Sequence, residues 1–264
     1  MDCSFTAHRV CIDGDELFVR QIRGDKSGAD SSVLVFLHDS WGCTETWGDF
    51  PQQLVQESGL SAWVYDRRGY GKSSPDLTVK RSPDYLHAEA DILIRLLNHF
   101  NIQRAVLYGH SDGASIALIA AALHPAKIHS VLVEGAHSFV EARTMKAVQD
   151  ARDRSLHNSL LEKLEKYHGS NAAVLFRLWH EIWLDPDFSS WTIVPLLPQI
   201  QCPVLAFQGE YDEFGTVEQL QAIAQTVNGP VCTAEIPGAG HTPRKESPEA
   251  TWAVIRDFLR TFVL

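Results

Sequence analysis

The sequence contains no C-x-x-C pair. Its five cysteines, Cys3, Cys11, Cys43, Cys202 and Cys232, are odd in number and widely scattered. A disulfide framework needs an even, patterned set, so reduced thiols in a cytoplasmic protein are expected. Basic residues are scarce: 23 Lys and Arg stand against 33 Asp and Glu, a net charge of −10. Nucleic-acid binding draws on basic patches that neutralise phosphates, and the densest one here is the pair Arg67-Arg68. No nucleic-acid partner is expected, and an anionic membrane surface is disfavoured for the same reason. Long apolar runs are missing too. The longest, around Ile116 to Leu123, is too short to span a bilayer. Met1-Asp2-Cys3-Ser4 shows no basic stretch leading into an apolar one, so no secretory leader is expected. No repeat or low-complexity segment stands out.

What is present is ordinary globular material: 264 residues, 45% hydrophobic and 21% charged. A chain this long can bury a large core as one domain. Short apolar runs alternate with amphipathic stretches, which predicts an α/β protein with a mostly parallel sheet flanked by helices. Strands are expected around Val10 and over Leu17–Ile22, joined by an Asp13-Gly14 turn. Further runs at Val33–Leu37, Ala62–Tyr65, Ala105–Tyr108, Val131–Val133, Val204–Phe207 and Val231–Ile236 bring the sheet to eight strands.

A helix is expected to open at Ser82-Pro83, with Leu86, Ala90, Leu93, Leu97 and Phe100 as its apolar face. A second, from Ser111 to Leu123, is apolar all round and therefore buried. Val217–Val227 and Pro248–Phe262 are the last two. Residues 136–197 break the rhythm. They offer only helical patterns: Leu156, Leu160 and Leu164 with Tyr167, then Leu175, Trp179 and Trp183. The expected division is a core of 1–135 and 198–264 with a helical cap, 136–197, inserted after the sixth strand.

One segment carries the chemistry. Gly109-His110-Ser111-Asp112-Gly113 is G-x-S-x-G between an apolar strand and an apolar helix. The pattern occurs by chance, but this context is the one the nucleophile geometry requires. A serine must project from a sharp strand-to-helix turn, flanked by glycines where a Cβ would collide, while the helix start aims N–H groups at developing negative charge. Such a serine needs a base, and the base an orienting acid. In this arrangement the chain order is Ser, acid, His. Asp212, past the strand Val204–Phe207, and His241, on the Gly-rich loop after Val231–Ile236, fit that order. Asp also favours turns, so an Asx-turn is the plain alternative for Asp212. Glu134, after the sixth strand, is its rival as the acid.

Gly109–Gly113, the run Asp66-Arg67-Arg68-Gly69-Tyr70-Gly71-Lys72-Ser73, Gly209–Asp212 and Gly240-His241 resemble the α/β-hydrolase superfamily. The likeness is to its small capped esterases and carbon–carbon bond hydrolases, over nearly the whole chain apart from the cap. It implies a Ser111–His241–Asp212 triad without cofactor. It also implies an oxyanion hole made by the backbone N–H groups of Ser40 and Asp112. The family's loop after the third strand begins His-Gly; here it is His38-Asp39-Ser40-Trp41-Gly42. A carboxylate at Asp39 would oppose a developing anion unless it points away.

Other signals fail. Gly71-Lys72-Ser73 ends like a phosphate loop, but position 66 is Asp and not Gly, so a structural turn is expected. His180-Glu181 opens like a zinc-protease helix, but position 184 is Leu, and no metal site is expected. His110 adjoins the nucleophile, but its place on the elbow directs it away from a base role. Cys43 lacks a base and reads as a spectator thiol. The aromatic residues Phe139, Phe176, Trp179, Trp183, Phe188 and Trp191 read mainly as packing of the cap, with one or two lining an apolar pocket. Arg143, Arg152, Arg154 and Arg177 give no visible clamp for an acidic substrate.

The expected function is hydrolysis of a small, largely apolar carboxylic ester, by a monomer or homodimer with a small-molecule substrate as partner. Carbon–carbon bond hydrolysis or lactone opening would use the same triad. A ligand receptor or scaffold on a hydrolase fold is the non-enzymatic alternative.

Overall fold

A computed structural model of the chain describes residues 5–26, 32–75, 79–155 and 159–264. Cys3 and Leu156 lie outside the described residues. In chain order the regular elements are β1 (Phe5–Ile12), β2 (Asp15–Ile22), β3 (Val33–Leu37), α1 (Phe50–Ser58), β4 (Ala62–Tyr65), α2 (Tyr85–His99), β5 (Ala105–His110), α3 (Asp112–Leu123) and β6 (Ile128–Glu134). There follow α4 (Ala142–Ser155), α5 (Leu160–His168), α6 (Ala172–Trp183), β7 (Val204–Gly209), α7 (Val217–Thr226), β8 (Val231–Ile236), α8 (Pro243–Glu246) and α9 (Pro248–Phe262).

The eight strands form one sheet in the order β1-β2-β4-β3-β5-β6-β7-β8. β1 and β2 are antiparallel and joined at Asp13-Gly14, both at positive φ, as a tight hairpin requires. β2 also runs antiparallel to β4, and every later pairing is parallel. Helices cover both faces, as a parallel sheet demands. Val35, Leu107, Val131 and Val133 face α2 and α3; Phe36, Tyr108, Leu132 and Phe207 face α1 and α9. α3 is buried from Asp112 to Ala122, on every side of the helix.

One boundary differs from the pattern reading. α2 begins at Tyr85 and not at Ser82-Pro83. Ser82 instead forms the turn before it: its carbonyl accepts from the Tyr85 N–H at 3.0 Å and its hydroxyl from the Asp84 N–H at 3.3 Å. Leu86, Ala90, Leu93 and Leu97 are buried as the spacing requires, while Phe100 caps the C-terminal end. Between β6 and β7 the described residues form α4, α5 and α6, with 3₁₀ turns before β7 and an isolated bridge, Phe139 to Thr192. Leu164 is buried, but Tyr167 is exposed.

The parallel strands end at one edge of the sheet, where loops are free to carry chemistry. Ser40 lies just past β3, Ser111 past β5, Glu134 at the end of β6, Asp212 past β7 and His241 past β8. Gly71-Lys72-Ser73 supports this edge as a turn. The Asp66 carboxylate accepts from the Lys72 N–H at 2.8 Å, and the Asp66 carbonyl accepts from the Ser73 hydroxyl at 2.6 Å. Among the described residues no helix is long and apolar enough to cross a membrane.

Candidate active site

Among the described residues Ser111 is one of three non-glycine residues with positive φ, at φ 56° and ψ −121°. Holding a side chain there costs on the order of 1–3 kcal/mol. The turn is held by the Ser111 N–H donating to the Glu134 carbonyl at 2.9 Å and by Ala114 N–H donating to the Ser111 carbonyl at 2.9 Å. Both flanking glycines are needed for close approach. A Cβ on Gly109 would lie 2.3 Å from the Gly113 carbonyl oxygen, and one on Gly113 2.1 Å from that of Leu37.

Ser111 and His241 line the same cavity, of about 290 Å³. The Nδ1 of His241 lies 2.9 Å from both carboxylate oxygens of Asp212. An ionised carboxylate only accepts, so Nδ1 carries the proton and the Nε2 lone pair is left for another partner. Asp212 is buried and also accepts from the Phe214 N–H at 2.9 Å. Burial pushes its carboxyl up, but the His241 charge and hydrogen bond bring it below the usual range. For His241, burial works against the imidazolium, and Asp212 overrides it and raises the ring above its ordinary value.

Glu134 is not on His241. Its buried carboxylate is taken by the Arg244 guanidinium at 2.5 Å, the Arg244 N–H at 2.9 Å and the Tyr108 hydroxyl at 3.1 Å. The geometry therefore brings Asp212, and not its rival, to the imidazole.

The backbone at the expected oxyanion site is built from two segments. Asp112 opens α3, where first-turn N–H groups have no acceptor within the helix. In the loop after β3, the Trp41 N–H donates to Asp39 Oδ1 at 2.8 Å and the Gly42 N–H to the Asp39 carbonyl at 3.2 Å. Among the described residues no hydrogen bond takes the Ser40 N–H. The Asp112 carboxylate is met by the Tyr85 hydroxyl at 3.0 Å and by Arg67 at 3.9 Å.

Of the aromatic residues between β6 and β7, Trp179 and Trp183 line the cavity, while Phe176, Phe188 and Trp191 pack behind them. Trp41 and Phe214 complete the apolar wall from the core side. Arg177 pairs with Glu181 on the surface, and Arg152 with Asp153. Cys43 is buried and its thiol is pushed up to about 12 by burial and then by Asp66, which leaves it unreactive.

Several contributors carry no signature in the sequence. Glu246 clamps the His241 loop from both sides, accepting from the Gly240 N–H at 2.7 Å and the Thr242 N–H at 2.9 Å. His137 lines the cavity 6.0 Å from the His241 ring, and burial, then the His241 charge, lowers it to about 4. His110 bonds through both ring nitrogens, to Asp39 and to the carbonyl of His241. Gly135, directly after β6, packs under the imidazole.

The alpha/beta hydrolase family matches residues 34–254. The serine hydrolase BPHL of Homo sapiens is 29% identical over 219 residues, covering 79% of this chain and 71% of that one. The putative carbamate hydrolase RutD of Caulobacter sp. (strain K31) is 26% identical over 236 residues, 79% of this chain and 84% of its own. A carboxylesterase structure from the thaumarchaeon Nitrososphaera gargenis shares the fold, with a TM-score of 0.77 at 18% identity over 97% of this chain and 98% of that one. The chain belongs to the alpha/beta hydrolase family and is a hydrolase.

Proposed function

We propose that the protein cleaves a small, largely apolar carboxylic ester through a Ser111–His241–Asp212 triad and an acyl-enzyme. One observation carries this reading. Ser111, at positive φ, shares a cavity with a histidine whose far nitrogen is held at 2.9 Å by a buried carboxylate. Asp212 fixes the tautomer, so His241 Nε2 takes the Ser111 proton as the hydroxyl attacks the carbonyl carbon. The carbonyl oxygen gains charge, and the N–H groups of Ser40 and Asp112 receive it. The imidazolium returns the proton to the leaving alcohol, and water, activated in turn by His241, releases the acid.

The cavity supports this substrate class. About 290 Å³ behind Trp41, Trp179, Trp183 and Phe214 suits a short apolar acyl group. In this reading residues 136–197 are a cap, whose α6 indoles close the acyl side.

A fluorophosphonate probe tests the proposal. It should label wild-type protein once, at Ser111, and Ser111→Ala should lose both label and turnover. The substrate panel is activated esters, lactones and dienoates. Label on another serine, or none on folded protein, refutes the nucleophile. Faster turnover of a lactone or dienoate than of any ester refutes the substrate class. Label without turnover on any substrate turns the reading to a ligand receptor.

A further inference from the structure

His110 sits where three segments of the site meet. Its Nδ1 lies 3.2 Å from Asp39 Oδ2, and its Nε2 lies 2.9 Å from the carbonyl oxygen of His241. Neither partner has a proton to give. A carbonyl only accepts, and the Asp39 carboxyl is ionised: its Oδ1 accepts the Trp41 N–H at 2.8 Å, and the cationic Arg244 and Lys245 stand near it. A ring with one proton would set lone pair against lone pair at one of the two contacts. The geometry is satisfied when both nitrogens carry hydrogen.

The three segments are those that carry the proposed chemistry. Asp39 precedes Ser40, His110 precedes Ser111, and the third contact is the backbone of His241 itself. We propose that His110, charge-paired with Asp39, is a positioning residue that ties the oxyanion loop, the nucleophile turn and the base loop together through one imidazolium. The inference rests on the serine-hydrolase reading above. It also answers the difficulty raised by Asp39 in place of the family's glycine, since the carboxylate that would oppose an oxyanion has its counter-charge beside it.

The His241 ring faces His110 with centroids 5.1 Å apart and is held by Asp212, and the other surrounding charges are engaged as well. Glu134 faces His110 from the end of β6 but is held by Arg244, which also faces Asp39. Lys245 approaches Asp39 from α8. His38 bonds to the Asp39 carbonyl through Nδ1 at 2.7 Å and accepts the Arg67 N–H on Nε2 at 3.1 Å, so its ring carries one proton and is neutral. The Arg67 side chain reaches the same Asp39 carbonyl at 3.1 Å. Among the described residues only His110 meets the Asp39 carboxylate through a side-chain hydrogen bond.

The test compares wild type, His110→Gln, Asp39→Asn and the double variant on one activated ester across pH. His110→Gln leaves the Asp39 charge without its partner beside the oxyanion site. Its kcat should fall about 10²-fold, the size of losing one oxyanion donor. The acid limb of kcat/KM should move up, because an uncompensated Asp39 favours the His241 imidazolium. Removing both charges in the double variant should recover about tenfold of the loss and return the limb to its wild-type position, which is about 1.4 kcal/mol of barrier. Equal rates for His110→Gln and the double variant, with an unmoved limb, overturn the proposal in favour of packing. So does wild-type kcat in His110→Gln.

If His110→Gln does not fold, nitrogen NMR of the wild-type ring decides. Two protonated nitrogens at about pH 7 support the assignment and one overturns it. Fluorophosphonate labelling of Ser111 in wild type keeps the two readings apart. A labelled enzyme insensitive to His110 removes this inference alone, whereas an unlabelled one removes the reading beneath it.

Discussion

A methyl group on Gly135 would lie 2.9 Å from Cε1 of His241 and 3.0 Å from its Nδ1. The backbone past β6 thus runs directly against the imidazole, with no room for a side chain. Gly135 also has φ +60°, and its N–H donates to the Phe207 carbonyl at 2.9 Å, so the segment cannot retreat without losing a sheet-end hydrogen bond. Gly135→Ala therefore meets two penalties. The left-handed backbone costs roughly 1–2 kcal/mol of stability. The displaced ring costs about 10²-fold in kcat, the penalty for a misplacement of about 1 Å. Turnover and thermal unfolding measured on the same preparation check both. A variant that unfolds earlier but keeps wild-type kcat would show that His241 tolerates the shift.

The acid limb of the pH profile should report the Asp212–His241 pair. His241 works as a base only when neutral, and Asp212 raises it above the ordinary imidazole value of about 6.5. The rate should fall as pH drops through that raised value. In Asp212→Asn the limb should move down, because only the weaker pull of Glu213 and Asp39 then opposes burial. Stability runs the other way for the raised group. His241 contributes stability that is present in full below its unfolded pKa and is lost as pH rises through its folded one. Asp212, depressed, contributes stability present above its unfolded value, which is lost as pH falls through the folded value. The difference in unfolding free energy between wild type and Asp212→Asn should therefore be largest between about pH 4 and 6.5 and shrink at higher pH. A difference that grows with pH would contradict the pairing.

The strand-turn-helix around Ser111 was legible in the sequence because its parts are contiguous. Apolar β5, two glycines and apolar α3 sit within one short stretch, and each has a local physical reason. Asp212 and His241 were readable because they lie just past apolar strands in the expected order. The partners that hold these residues in place were not, since they meet only in three dimensions. Glu246 clamps the His241 loop from α8, His110 reaches across to Asp39 from β5, and Trp41 and Phe214 come from separate loops to one cavity wall. The start of α2 was misplaced for a local reason. Ser82-Pro83 has the composition of a helix start, but the chain uses it for a preceding turn.

Asp212→Asn and Glu134→Gln should fail in different ways. Asp212→Asn offers the wrong group to the His241 ring and should cost about 10⁴-fold in turnover, by analogy with other triads. Glu134→Gln should cost less than about tenfold, or about 1.4 kcal/mol of barrier. Its damage should appear in stability instead. Glu134 and Arg244 are both buried, and removing one charge strands the other at a cost of about 3–5 kcal/mol. Folded samples of each variant, assayed on one activated ester and melted, separate the cases. A dead Glu134→Gln beside an active Asp212→Asn would reverse the assignment of the acid.

Acyl length should be read by α6. Trp179 is buried, lines the cavity, and meets Trp41 edge-on with ring centroids 4.7 Å apart. In the wild-type protein acetyl esters should turn over much faster than hexadecanoyl esters, because a cavity of about 290 Å³ has no place for a long chain. Trp179→Ala removes the indole and lengthens the acyl side, at about 3–5 kcal/mol of stability if the space does not collapse. The ratio of octanoyl to acetyl kcat/KM should then rise at least about tenfold, since each buried methylene is worth about 0.8 kcal/mol. Trp179→Phe should fall between the two, since it keeps a ring against Trp41 while opening less space. The readout is a ratio within one enzyme, so a uniform loss from partial unfolding cancels. An unchanged ratio in a folded Trp179→Ala would mean that the acyl chain lies along another wall. Trp183 would be the next to test, because it lines the cavity one turn further along α6, with its ring on His137 at 4.9 Å and on Phe188 at 5.3 Å.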